Sequence, residues 1–168
     1  MSPADPQHEA WMGLALDEAR EALATEDVPI GAVVVGPDGT VLGRGRNERE
    51  ATHDPTAHAE VVAIRQAAAA LGSWRLDGCT LVVTLEPCAM CAGATVLARI
   101  PRVVFGAWDE KAGAAGSVFD ILRERRLNHW VEVYPEVRTG ECSALLRSFF
   151  AAHREERPDS GPPAGPPS

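Results

Sequence analysis

Apolar positions recur at helical spacing early in the chain: Trp11, Met12, Ala15, Leu16, Ala19, Ala22 and Leu23, with Glu9, Asp17, Glu18, Arg20 and Glu21 between them. That period predicts an amphipathic helix over residues 7–25, ended by Val28-Pro29. The pattern then shortens. Ile30 to Gly36 is a valine-rich apolar run, Pro37-Asp38-Gly39 a turn, and Thr40 to Arg46 a returning strand, so a hairpin is expected. Asn47 to Thr56 is polar and reads as a loop. Asp54-Pro55 looks like an N-cap followed by proline at the first helical position, predicting a helix to about Leu71, where Gly72 stops it. Thr80–Thr84 reads as a third strand. A helix from Pro87 to about Arg99 and a fourth strand from Arg102 to Ala107 follow. Beyond a glycine-rich loop, 109–117, the pattern predicts a short helix near 118–125, a strand at 130–134 and a last helix over 139–156.

Helices placed between strands three and four and between four and five suit parallel crossovers. The expected architecture is an α/β fold in three α/β/α layers, a five-stranded mixed sheet with helices on both faces. At 168 residues one domain is expected, over 8–156. Residues 1–7 read as a disordered arm. Residues 157–168, dense in proline and glycine, read as a disordered tail. The start has no apolar signal-like core and no stretch is long enough to span a membrane, so a cytoplasmic location is expected. The net charge of −8 argues against general nucleic-acid binding but leaves room for a local basic patch.

The chemistry concentrates in two short segments. His58 and Glu60 lie two residues apart, and Pro87-Cys88-Ala89-Met90-Cys91 follows about thirty residues on. His58, Cys88 and Cys91 would hold one Zn²⁺ per subunit and leave its fourth position open, the arrangement of a catalytic rather than a structural zinc. Zinc lowers the pKa of its water to about 7, and Glu60 beside it would shuttle protons. His58 and Glu60 would stand about 200° apart on an ideal helix, so both can serve only in an irregular first turn or by flanking the ion. Alone, Pro-Cys-x-x-Cys also fits a redox pair or a zinc knuckle. A redox pair needs no His-x-Glu, and a knuckle wants a fourth close ligand, for which His53 is the nearest spare imidazole. Cys79 and Cys142 read as buried small apolar residues.

H-x-E followed by P-C-x-x-C is the pattern of zinc deaminases of nucleobases. More of the chain narrows it. Asp27-Val28-Pro29-Ile30-Gly31-Ala32, Gly45-Arg46-Asn47, residues 53–60, residues 84–94 and residues 102–117 together resemble the bacterial tRNA-specific adenosine deaminases, over about 8–156. The resemblance implies a cytidine-deaminase-like fold, a homodimer, and conversion of adenosine to inosine at the wobble position of a tRNA anticodon stem-loop whose bases are splayed from their stack. It implies His58, Cys88 and Cys91 as zinc ligands, Glu60 as the proton shuttle and Asn47 as a partner of the flipped nucleotide. Val28 and Pro29 would wall the pocket. Asp109 and Lys111 would grip the RNA, and Phe149 and Arg154 would cover it from the last helix. Trp108 stands where a basic or polar residue is expected; it would stack on a splayed base or anchor the loop. Candidate phosphate contacts are Arg44, Arg46 and Arg49, then Arg123, Arg125 and Arg126. The alternatives are a deaminase of a free base or nucleoside, of guanine or cytosine type, and a zinc-stabilised RNA-binding module without catalysis.

Overall fold

The computed structural model describes residues 4–156. The expectations for residues 1–3 and for the tail at 157–168 lie outside the described residues. Helix α1 runs over Pro6–Glu21, so its first two residues fall in the segment expected to be an arm. Asp5 caps it by accepting from the Gln7 N–H at 2.8 Å, and Pro6 stands where no intrahelical donor is needed. A 3₁₀ turn over Ala22–Thr25 continues it.

Strands β1 (Gly31–Val35) and β2 (Val41–Arg46) form the expected hairpin. The remaining strands are β3 (Thr80–Leu85), β4 (Arg102–Ala107) and β5 (Glu132–Tyr134), in the spatial order β2-β1-β3-β4-β5. β1 is antiparallel to both β2 and β3, whereas β3, β4 and β5 run parallel. Side chains alternate between the two faces, as the pleat requires. Ala32, Val34, Leu81, Val83, Val103 and Phe105 point to one core, with helices α3 (Ala59–Leu71) and α4 (Ala89–Leu97). Val33, Val35, Val82 and Val104 point to the other, with α1 and α5 (Thr139–Glu156). The layers and the mixed sheet are those the sequence predicts.

One contact between layers is unusually close. The buried stripe Ala59, Ala63 and Ala67 of α3 lies directly on β2 at Gly43 and Gly45. A methyl group on Gly45 would come within 2.1 Å of the Ala59 carbonyl oxygen, and one on Gly43 equally near that of Ala63. Four residues of helix rise about 6 Å and two residues of strand about 7 Å, so the alanine and glycine periods match.

Three predicted elements differ. The helix expected from Asp54-Pro55 starts at Ala59, because Asp54 spends its carboxylate on the backbone N–H and the hydroxyl of Thr56, at 2.8 and 2.7 Å, in a turn of its own. The loop at 47–56 contains a short helix, α2 (Arg49–Thr52), whose Glu50 and Ala51 N–H groups donate to the buried Asp27 carboxylate. The helix expected near 118–125 does not form. The N–H groups of Val118 and Phe119 donate to Gly113 and that of Ile121 to Ala114, while Leu122 is buried among the residues packed under α3 and α4. Long-range partners and burial override the local helical preference there.

Candidate metal centre and substrate cavity

The candidate ligand side chains come from two helix starts at one end of the sheet. His58 is the N-cap of α3 and Cys88 the N-cap of α4, both with extended backbone. The helix therefore begins after the histidine. This removes the 200° conflict: His58 and Glu60 do not share a regular helical face, and Glu60 enters from the first turn of α3. Cys91 sits one turn into α4 and is fully buried. Each sulfur lies 3.5 Å from His58 Nδ1. The three ligand atoms all lie within 4.8 Å of one another. A tetrahedron with metal–sulfur bonds of about 2.3 Å and metal–nitrogen bonds of about 2.0–2.1 Å has sulfur–nitrogen edges of roughly 3.6 Å. The residues present fit a zinc ion bound through Nδ1 and two thiolates. His53 is exposed at the end of α2 and joins no metal-binding group, and Cys79 and Cys142 are buried and free.

The protons of the centre are distributed unequally. A hydrogen bond from Cys91, and then one with His58, pulls the Cys88 thiol down to about 3. The bond to Cys88 and burial push Cys91 up. The bonding of the pair favours one thiolate between them, and a dication would favour the second. His58 is raised, first by its bond with Cys88. Glu60 is only 4% exposed, and burial pushes its carboxyl up to about 7, with the neighbouring Cys88 charge adding to the rise.

Beside the ligands opens a cavity of ≈260 Å³. His58, Glu60 and Cys88 line it together with Val28, Asn47 and Asp109. Asn47 is buried; its Nδ2 donates to the Val28 carbonyl at 3.2 Å and its Oδ1 accepts from Arg49 N–H at 3.3 Å. Pro29 is buried beside Val28, and the lining residue there is Ile30. Lys111 lines an adjoining space of ≈500 Å³ with Trp108 and Asp109. Trp108 donates from Nε1 to Glu136 at 3.0 Å and meets Phe105 edge-on at 4.8 Å, which is the bonding of a loop anchor. From the last helix it is Phe150 that lines the cavity. Phe149 stacks on His153 at 4.0 Å and lines a separate groove of ≈460 Å³, and Arg154 is exposed.

The cavity is also lined by Ile30, Ala59, Leu85, Glu86, Ala112 and Phe150, to which the sequence assigns no role. Phe149 and Phe150 are indistinguishable by composition, and only the docking angle of α5 separates them. Glu86 shows in the sequence only as a lone glutamate between the end of an apolar strand and Pro87. Among the arginines, Arg49 lines the cavity. Arg46 lies 4.0 Å from both Glu18 and Glu48, while Arg123 and Arg126 pair with Asp120 and Glu124.

Fold and ligand set together define a zinc-binding deaminase. The sequence model for the cytidine and deoxycytidylate deaminase zinc-binding region matches residues 5–107. The chain is 47% identical over 151 residues to the tRNA-specific adenosine deaminase of Bacillus subtilis (strain 168), covering 90% of this chain and 93% of that protein. A solved structure from studies of A-to-I editing by tRNA:A34 deaminases at the wobble position of transfer RNA superposes with a TM-score of 0.78 at 45% identity, covering 82% of this chain and 99% of that one. The guanine deaminase of Bacillus subtilis superposes with a TM-score of 0.59 at 35% identity, covering 88% and 94%. The chain belongs to the tRNA-specific adenosine deaminase family.

Proposed function

We propose that the protein hydrolyses adenosine to inosine at the wobble position of a tRNA anticodon, consuming one water and releasing ammonia. The observation that carries this reading is the placement of Glu60, His58 and Cys88 along one ≈260 Å³ cavity, with the buried Cys91 completing the candidate ligand group, in a chain 47% identical to a tRNA-specific adenosine deaminase. Zinc, when bound, supplies hydroxide near neutral pH. Glu60 takes the proton released from that water and gives it to the ring nitrogen beside the attacked carbon; it then takes the proton of the newly added hydroxyl and passes it to the amine, so that ammonia leaves as the carbonyl forms. Its burial keeps that proton from exchanging with solvent between steps. Asn47 keeps a second Nδ2 hydrogen for the nucleotide after bonding Val28.

The cavity takes a single base, so the nucleotide has to leave the stack of its loop. Val28 and Ile30 would wall it, with Phe150 in the part expected of Phe149 and Pro29 behind them. Asp109, whose Oδ1 accepts from the Lys111 and Ala112 N–H groups, would shape the rim, and Lys111 and Arg49 would meet phosphates. Arg154 would reach RNA farther along α5. The protein would act as a homodimer, which would cover exposed apolar residues such as Leu97, 71% exposed, and Trp130, 59% exposed. No helix among the described residues is long and apolar enough to cross a membrane, and a tRNA substrate suits a cytoplasmic protein.

The test offers the zinc-loaded protein an adenosine-containing anticodon stem-loop, free adenosine, guanine and cytosine in parallel. Inosine forming in the RNA is the expected result. Turnover of guanine with the RNA untouched would instead support the free-base reading, which the likeness to a guanine deaminase keeps in play.

A further inference from the structure

Glu86 closes β3's C-terminal end and is 1% exposed. Its carboxylate gathers the loop that follows β4. Oε1 accepts from the Asp109 N–H at 3.0 Å and the Ser117 hydroxyl at 2.6 Å. Oε2 accepts from the Ala115 N–H at 2.9 Å and the Ser117 N–H at 3.1 Å. Backbone donors converging in this way make a nest for an anion, and here the chain supplies the anion itself. Gly113 leaves the room: a methyl group there would stand 2.2 Å from Oε1. The same loop is tied to the metal centre, because the Ala114 N–H donates to the Pro87 carbonyl at 2.7 Å and Gly113 bridges Cys88. Asp109 and Ala112, two lining residues of the cavity, sit on this loop.

We propose that Glu86 is a positioning residue for substrate recognition, fixing the 109–117 loop, and with it the Asp109–Ala112 wall, at a set distance from the Cys88 end of the metal centre. This rests on the reading that the cavity receives a nucleotide of RNA. The charge is central to the role. A neutral amide of the same size has one acceptor oxygen and brings two more donors to a place where four donors already converge. The loop would then relax outward, and the nucleotide would meet a looser wall while the ligand helices stayed in place.

The experiment compares wild type, Glu86→Gln and Ser117→Ala as zinc-loaded full chains. Steady-state kinetics on the stem-loop, zinc content and amide hydrogen exchange at Asp109, Ala115 and Ser117 are read for each. In Glu86→Gln the three amides should exchange faster, KM should rise about tenfold or more and kcat change by less than about threefold, with zinc content unchanged. Ser117→Ala removes an exposed hydroxyl and should raise KM about threefold by the same route; it decides the matter alone if Glu86→Gln does not fold. A KM unmoved in the folded variants despite faster exchange would overturn the role, as would a fall in kcat that tracks lost zinc. Wild-type turnover of the stem-loop is the internal standard. Its absence would sink the proposed function, whereas the exchange data would still show whether Glu86 holds the loop.

Discussion

His58 and Cys88 approach the candidate metal site from two helix starts whose geometry is set within a few residues of each, whereas the opposite wall of the cavity is assembled at long range. Asp109 and Ala112 stand on a loop held by a glutamate 23 to 31 residues away from its partners, and Phe150 comes from the last helix. The metal side depends on helix N-caps and burial, the recognition side on hydrogen bonds and the docking of α5. Changes to the first should abolish chemistry. Changes to the second should alter which substrate is held, and how tightly, while leaving the metal in place.

The largest expected effect is on the metal side. Glu60→Ala should lower kcat by about 10²–10⁴-fold, the usual worth of a positioned acid–base group, with bound zinc retained. Inosine formation together with zinc content measures this, and a variant within tenfold of wild type would contradict the shuttle role. Next comes pH. In the zinc-free protein the Glu60 carboxyl rises from its ordinary 4.5 to about 7 through burial. A raised acid favours the protonated fold, so its contribution is complete below about pH 4.5 and disappears as pH climbs through 7. Relative to Glu60→Gln, the zinc-free wild type should lose up to about 3 kcal/mol across that window, read from urea midpoints at each pH. Equal pH profiles for the two proteins would break the assignment.

On the recognition side the effects are smaller. Arg49→Ala should weaken stem-loop binding by several-fold and reduce the slope of log affinity against log salt by about one unit, as for one lost phosphate contact. An unchanged slope would remove Arg49 from the interface. Smallest and most discriminating is the neighbouring pair on α5. Phe150→Ala should raise KM for the stem-loop more than Phe149→Ala does, because Phe150 lines the cavity while Phe149 packs on His153. The reverse order would show that α5 turns when RNA binds.

The same division explains what could be read in the chain. Short valine-rich apolar runs mark the strands, and the His-x-Glu and Pro-Cys-x-x-Cys spacings mark the candidate ligand group, because each depends on near neighbours. The start of α3 lies later than Asp54-Pro55 suggests because of a local competitor, the turn made by Asp54 with Thr56. The segment at 118–125 has helical composition, yet its donors are taken by Gly113 and Ala114. Which of two adjacent phenylalanines faces the cavity is a matter of helix rotation and leaves no mark in sequence. The clustering of donors around Glu86 arises only after β4 has crossed over, and a lone glutamate before Pro87 does not announce it.

The bare backbone of β2 beneath α3 has a further consequence. Gly45 faces the carbonyl of Ala59, the residue next to His58, with no clearance for even one carbon atom. The height of the histidine above the sheet is therefore fixed by the absence of a side chain on a neighbouring strand. A single carbon added at Gly45 would act as a shim, lifting the start of α3 away from Cys88 and Cys91 and detuning the ion's affinity from a residue that never touches it.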